Sequence, residues 1–210
     1  MRESERIGFE RVWLSEADGA DPRMVVGLVN QGGLRFVLQL DPTADMSVPA
    51  GLDIELAVAA SAGWRDSLSA LIASAPYSPD PAAWAVAGDV ASVAAAGHAG
   101  VGVAFEALEQ AEAAEEWVSE YEAELSGGSV DPLGGTSLGA TAVFLEAGED
   151  PDALIGLIER YREAGVDEVI LHGPSSGDRN FMTVVMSEFD DDEVREQAGG
   201  IHRWSQDHQR

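Results

Sequence analysis

The chain has 210 residues and a formal charge of −26, from 38 acidic residues against 12 basic ones, all of them Arg. With no Cys and no Lys, it excludes disulfides, thiolate metal sites, a Cys nucleophile, a Schiff-base lysine and a Walker-type phosphate lysine. An acidic surface of this kind repels nucleic acid and anionic membranes, so neither is an expected partner.

The length suits one domain with a substantial core. The composition, 45% hydrophobic and 7% aromatic, is that of a globular protein rich in small aliphatic residues. No apolar run reaches the roughly 18–20 residues that span a bilayer. The start, "MRESERIGFE", is polar rather than a secretory signal, and a cytoplasmic protein is expected. The charge serves solubility, with adaptation to high salt as the alternative.

Strand-length apolar runs alternate with helical stretches along the chain. The first predicted strand is Arg11–Ser15, followed by Asp21-Pro22 as N-cap and first-turn proline of a helix over "RMVVGLVNQ", stopped at Gly32-Gly33. Strands follow at Leu34–Leu40 and Asp53–Ala60, then a helix at Trp64–Ala75 ended by Pro76. Ala82–Ala87 is a strand, Asp89–Ala96 a short helix and Val101–Phe105 a strand. The longest predicted helix is Glu106–Leu125, with Leu108, Ala111, Trp117, Val118 and Tyr121 at helical spacings. Ala140–Glu146 is a strand, Asp150-Pro151 opens the helix "DALIGLIERYREA", and Glu168–His172 is the last strand. A helix is predicted over Phe181–Ser187, and Asp190 to Arg210 reads as a polar helix or tail.

Runs such as "VFLE" and "EVILH" are continuously apolar, as in parallel strands covered on both faces. With the alternation of strand and helix they predict an α/β fold built on a parallel sheet. Residues 1–189 form one domain and 190–210 the polar C-terminal helix or tail. One connection is irregular. The stretch "DPTADMSVPAGL" between the second and third strands holds two prolines and no helical pattern, where a parallel crossover usually carries a helix.

Several segments together resemble the luciferase-like flavin/deazaflavin oxidoreductases. "ERIGFERVWLSEADGADPRMVVGLV" resembles the end of that family's first helix, its second strand and its second helix. "LRFVLQL" stands at the third strand, and "LDIELAVAASAGWRDSLSALI" at the fourth with its Gly-Trp turn. "AWAVAGDVASVAAAGHAGVGVAF" resembles the strand ending in Ala-Gly with its short helix, and "TAVFLEAGEDPDALIGLIERYREAGVDEVILHGP" the last two barrel strands. The segments keep family order over most of residues 5 to 174.

The resemblance implies a TIM-type parallel barrel with its site at the carboxyl ends of the strands. It also implies an FMN or deazaflavin cofactor, a small-molecule substrate and a homodimer or a pairing with a related subunit. The barrel it implies is incomplete. It has seven recognisable strands, because the family's first strand would precede Arg2, and the third crossover helix is missing. The open edges at Arg11–Ser15 and Glu168–His172 predict closure by a partner chain or by the chain's own tail.

The candidate site residues lie at predicted strand ends. Gly88-Asp89-Val90 matches the family turn that holds a cofactor phosphate at a helix N-terminus, although Asp89 also suits a plain N-cap. Glu16, with Asp18 nearby, ends the first strand and is a candidate general base or a solvated rim carboxylate. Gln39 and Leu40 stand where relatives have small residues under the cofactor ring. His172 is a candidate acid/base group, with Gly173 beside it as a cofactor contact. Arg179 is the candidate anion contact, the alternative being a surface ion pair. Trp64 either stacks on a ligand or anchors a helix. His98, His202 and His208 are not assigned to a site, and no His, Asp and Glu set has metal-ligand spacing. Two functions stay open: an oxidoreductase or monooxygenase-type enzyme, or a non-catalytic relative acting as partner subunit or binding protein.

Overall fold

A computed structural model describes residues 11–15, 35–40, 54–74, 82–127, 133, 139–173, 175, 178–189 and the backbone of 203–207. Among them, seven parallel strands follow one another in sequence order around a nearly closed barrel. They are β1 (Arg11–Ser15), β2 (Arg35–Leu40), β3 (Ile54–Ala59), β4 (Ala83–Ala87), β5 (Gly102–Glu106), β6 (Thr141–Glu146) and β7 (Glu168–His172). One seam remains, between β1 and β7. An eighth strand, β8 (Arg203–Asp207), runs in that seam parallel to both neighbours. The tail thus contributes a strand where a polar helix or tail is the sequence expectation. The predicted helix after β1 and the irregular link between β2 and β3 lie outside the described residues.

Helices α1 (Trp64–Ser74), α2 (Val90–His98), α3 (Ala114–Ser126), α4 (Pro151–Glu163) and α5 (Arg179–Glu188) cover the outside. Their starts are written in local chemistry. Asp150 Oδ1 accepts from the backbone N–H groups of Asp152 at 3.0 Å and Ala153 at 3.4 Å, with Pro151 in the first turn. Asp178 caps α5 through the N–H of Phe181 at 3.0 Å. Gly97 lets α2 and α3 touch, since a Cβ there would meet the Tyr121 carbonyl oxygen at 2.5 Å. Among the described residues no helix is long and apolar enough to cross a membrane.

One predicted boundary is corrected. The stretch Glu106–Leu125 is not a single helix: β5 extends through Glu106, and α3 begins at Ala114 after a 3-10 turn at Ala111–Ala113. The Tyr161 hydroxyl accepts from the Leu108 N–H at 2.6 Å and donates to its carbonyl at 3.4 Å. This tertiary clamp from α4 holds residues 107–110 off the helix despite their helical propensity.

Period-two alternation sorts every strand into two faces. Val12, Leu14, Phe36, Leu56, Val103 and Leu145 pack outward beneath the helices. Trp13, Val37, Ala57, Trp84, Ala104, Phe144 and Ile170 fill the lumen. Trp13 is the hub, edge-on to Trp84 at 5.5 Å and to Phe144 at 5.2 Å between ring centroids.

Beneath this aromatic layer, at the amino ends of the strands, lies a buried ionic floor. Arg11 Nε donates to both Glu55 oxygens at 3.0 and 3.1 Å, and its Nη1 donates to Glu168 at 2.5 Å. Trp84 Nε1 donates to Glu55 at 2.7 Å, so β1, β3, β4 and β7 are tied through one cluster. Burial alone would lower the guanidinium pKa. The Glu168 and Glu55 carboxylates outweigh it, and Arg11 lies above its ordinary value.

Candidate functional site

The carboxyl mouth is built from the last lumen-facing residue of each strand. Counting by twos from Trp13, Val37, Ala104, Phe144 and Ile170 brings Ser15, Gln39, Glu106, Glu146 and His172 to its inner rim, with Ala59 and Val86 as the apolar members. Ser15, Gln39, Val86 and His172 are half-buried; Glu106, Glu146 and Ala59 are exposed. In register, Ser15 pairs with Gln39 across β1 and β2, and Glu146 pairs with His172 across β6 and β7. The rim therefore carries an imidazole beside a carboxylate on one side and a hydroxyl beside an amide on the other.

The β6–β7 side is the more tightly built. The Ala147 N–H donates to the His172 carbonyl at 2.7 Å, and Ser175 N–H donates to the Ala147 carbonyl at 3.4 Å. Gly173 has φ +95°, and a Cβ there would lie 3.0 Å from Glu146 Cγ. Only glycine meets both demands without displacing Glu146.

Across the mouth, Gly88 and Asp89 follow the end of β4. Asp89 is the N-cap of α2: its Oδ1 accepts from the Ser92 N–H at 2.7 Å and from the Ser92 hydroxyl at 2.6 Å. Those hydrogen bonds hold its pKa below the usual carboxylate value, so it is charged at neutral pH. Gly88 is exposed with open space around its Cα, and Val90 is half-buried at the first turn.

His172, Gly173, Gln39 and the Gly88–Val90 turn thus share the carboxyl face, with His172 and Gln39 on the inner rim. Leu40 does not belong there: it points outward into the helix-facing core, so the bulk at the end of β2 is that of Gln39 alone. Arg179 starts α5 on the exposed surface. Trp64 is buried against the outer core, the anchoring role. His98 Nδ1 lies 3.6 Å from Glu124 Oε2, outside the mouth. Glu16 and Asp18 lie outside the described residues. Among the described residues, no group of three or more His, Cys, Asp or Glu is arranged to hold a metal.

Sequence reasoning missed Glu146 and Glu106 at the rim, and the whole ionic floor. The rim pair had a signal, because each closes an apolar strand at a period-two position from lumen residues. For the floor the only signal was a charged residue opening or entering an apolar strand, as in "RVWLS", "DIELAV" and "EVILH".

No family model matches the chain, and no curated protein matches it. Among solved structures, the chain is similar to the crystal structure of Streptococcus suis SuiB bound to precursor peptide SuiA, with a TM-score of 0.32 and 8% identity. That alignment covers 99% of this chain and 52% of the other, so the chain spans about half that length. A likeness at that score carries no argument about fold or function.

Proposed function

We propose that the chain is a luciferase-like barrel that does not work as a flavin or deazaflavin enzyme and acts as a binding protein or partner subunit. The observation that carries this reading is Asp89. In the family's manner, a cofactor phosphate would take the backbone N–H groups at the start of α2. Here the Asp89 carboxylate already occupies the Ser92 N–H, and its negative charge faces any incoming phosphate. The turn therefore does not suit a phosphate-bearing cofactor. Gln39 adds bulk on the inner rim where a flat ring would rest, and Glu106 and Glu146 add negative charge.

The test is direct. The purified protein is examined for visible absorption, then titrated with FMN and with a deazaflavin. No bound chromophore, and no binding at high micromolar concentration, is the expected result. Low-micromolar binding of either compound overturns the reading.

A second reading is favoured by one observation, the half-buried His172 registered beside Glu146 at the end where barrel enzymes place acid/base groups. On that reading the protein is a luciferase-like oxidoreductase or monooxygenase with a small-molecule substrate. His172→Ala would then abolish turnover while leaving cofactor affinity largely intact.

A further inference from the structure

Two buried donors stand on the lumen side of β1, the strand that borders the seam. Arg11 Nη2 and Trp13 Nε1 have no hydrogen-bond partner among the described residues, although both side chains are almost wholly buried. A buried donor left without an acceptor is costly, and native interiors rarely keep one. Two strands pair with β1: β2 sets Arg35 and Val37, residue types that carry no side-chain acceptor, in register with Arg11 and Trp13, which leaves β8. Its register sets Ser205 against Arg11 and Asp207 against Trp13, and on the other side Arg203 against Glu168.

Residues in register on neighbouring strands share a face, so positions 203, 205 and 207 stand at lumen-register positions and 204 and 206 do not. The sequence "RWSQD" is complementary at each of the three. By register alone, a cationic residue type is paired with Glu168, a hydroxyl residue type with Arg11 and an acidic residue type with Trp13. The lumen positions at mid-height on β2, β3 and β5 are Val37, Ala57 and Ala104, so polarity at every lumen-register position is peculiar to the seam strand.

We propose that the seam between β1 and β7 is a strand-docking site keyed by buried polar groups, and that Arg203–Asp207 of the same chain is its cognate occupant. Backbone pairing gives the strand its place, and the polar match selects which sequence is accepted. The assignment stands apart from the function of the mouth.

Hydrogen exchange on the full-length protein tests it. Amides of 203–207 are expected to be protected at all protein concentrations. Asp207→Ala and Arg203→Ala are each expected to speed exchange in β8 and β1 by about tenfold or more, while Gln206→Ala changes it by less than about twofold. Equal effects at odd and even positions overturn the keyed match, and unprotected amides at 203–207 in the wild type overturn the docking itself. Protection that falls on dilution means that a second copy supplies the strand, and overturns the same-chain assignment. Should Asp207→Ala unfold the whole barrel, amides of β4 and β5 will exchange with the rest. Asp207→Asn, which keeps an acceptor, then decides: wild-type exchange supports the proposal, and loss equal to that of Asp207→Ala overturns it.

Discussion

Carboxylates stand at both ends of the same barrel, and the two ends use them oppositely. At the amino end Glu55 and Glu168 are buried and clamped on Arg11, with the Trp84 N–H fixing Glu55 further. At the carboxyl end Glu106 and Glu146 are exposed. A buried carboxylate must be held by charge and hydrogen bonds, and once held it positions strands rather than doing chemistry. An exposed one contributes little to stability and stays available to a ligand. The residue type alone therefore does not tell a structural carboxylate from a functional one; its height along the strand does.

That contrast can be broken most forcefully at the floor. Arg11→Met withdraws the guanidinium shared by two buried carboxylates and is expected to cost about 3–5 kcal/mol in urea unfolding. A loss below about 1 kcal/mol would show that water reaches the floor. Trp84→Phe keeps a ring near Trp13 but removes the N–H on Glu55, and should cost about 1.5–3 kcal/mol. Gly173→Ala, at the junction with the mouth, forces a side chain into a left-handed conformation against Glu146. About 1–2 kcal/mol is expected from thermal unfolding.

At the mouth itself, Glu146→Gln should leave stability within about 0.5 kcal/mol, and a larger loss would put Glu146 in the same class as Glu55. The smallest effect belongs to Asp89. Its folded pKa lies below the ordinary 3.8 because the charged form is hydrogen-bonded to Ser92. Its stabilisation of α2 is therefore complete above the unfolded value and is lost as pH falls through the lower folded value. A carboxyl NMR titration of Asp89 reads this directly, and a midpoint at or above 3.8 would refute it.

Strands β1 to β7 were legible because parallel strands buried on both faces are nearly continuous apolar runs. The helix starts at Asp89 and Asp150 were legible because N-caps are local. The start of α3 was not, since Ala- and Glu-rich residues 106–113 favour helix, while Glu106 is held in β5 by its pairing with β6 and Leu108 is tied to the hydroxyl of Tyr161, far along the chain. The ionic floor was hidden for the same reason: Arg11 meets partners 44 and 157 residues away. Strand β8 was hidden because "RWSQD" lacks the aliphatic pattern of its neighbours and is placed only by the seam. Of the site, His172 and Gln39 were found from strand ends, while the rim partner Glu146 needed the count by twos. The alternation also removed Leu40, which sequence position alone had put beside Gln39.

The edge-to-face rings of Trp13, Trp84 and Phe144 set a depth limit. Anything entering from the carboxyl side reaches aromatic carbon after roughly two residues of strand rise, about 7 Å. The strands therefore offer a shallow dish rather than a shaft. A flat guest lying in it would have one broad face uncovered by the barrel wall, and protons exchanged there would stay partitioned from the carboxylates below.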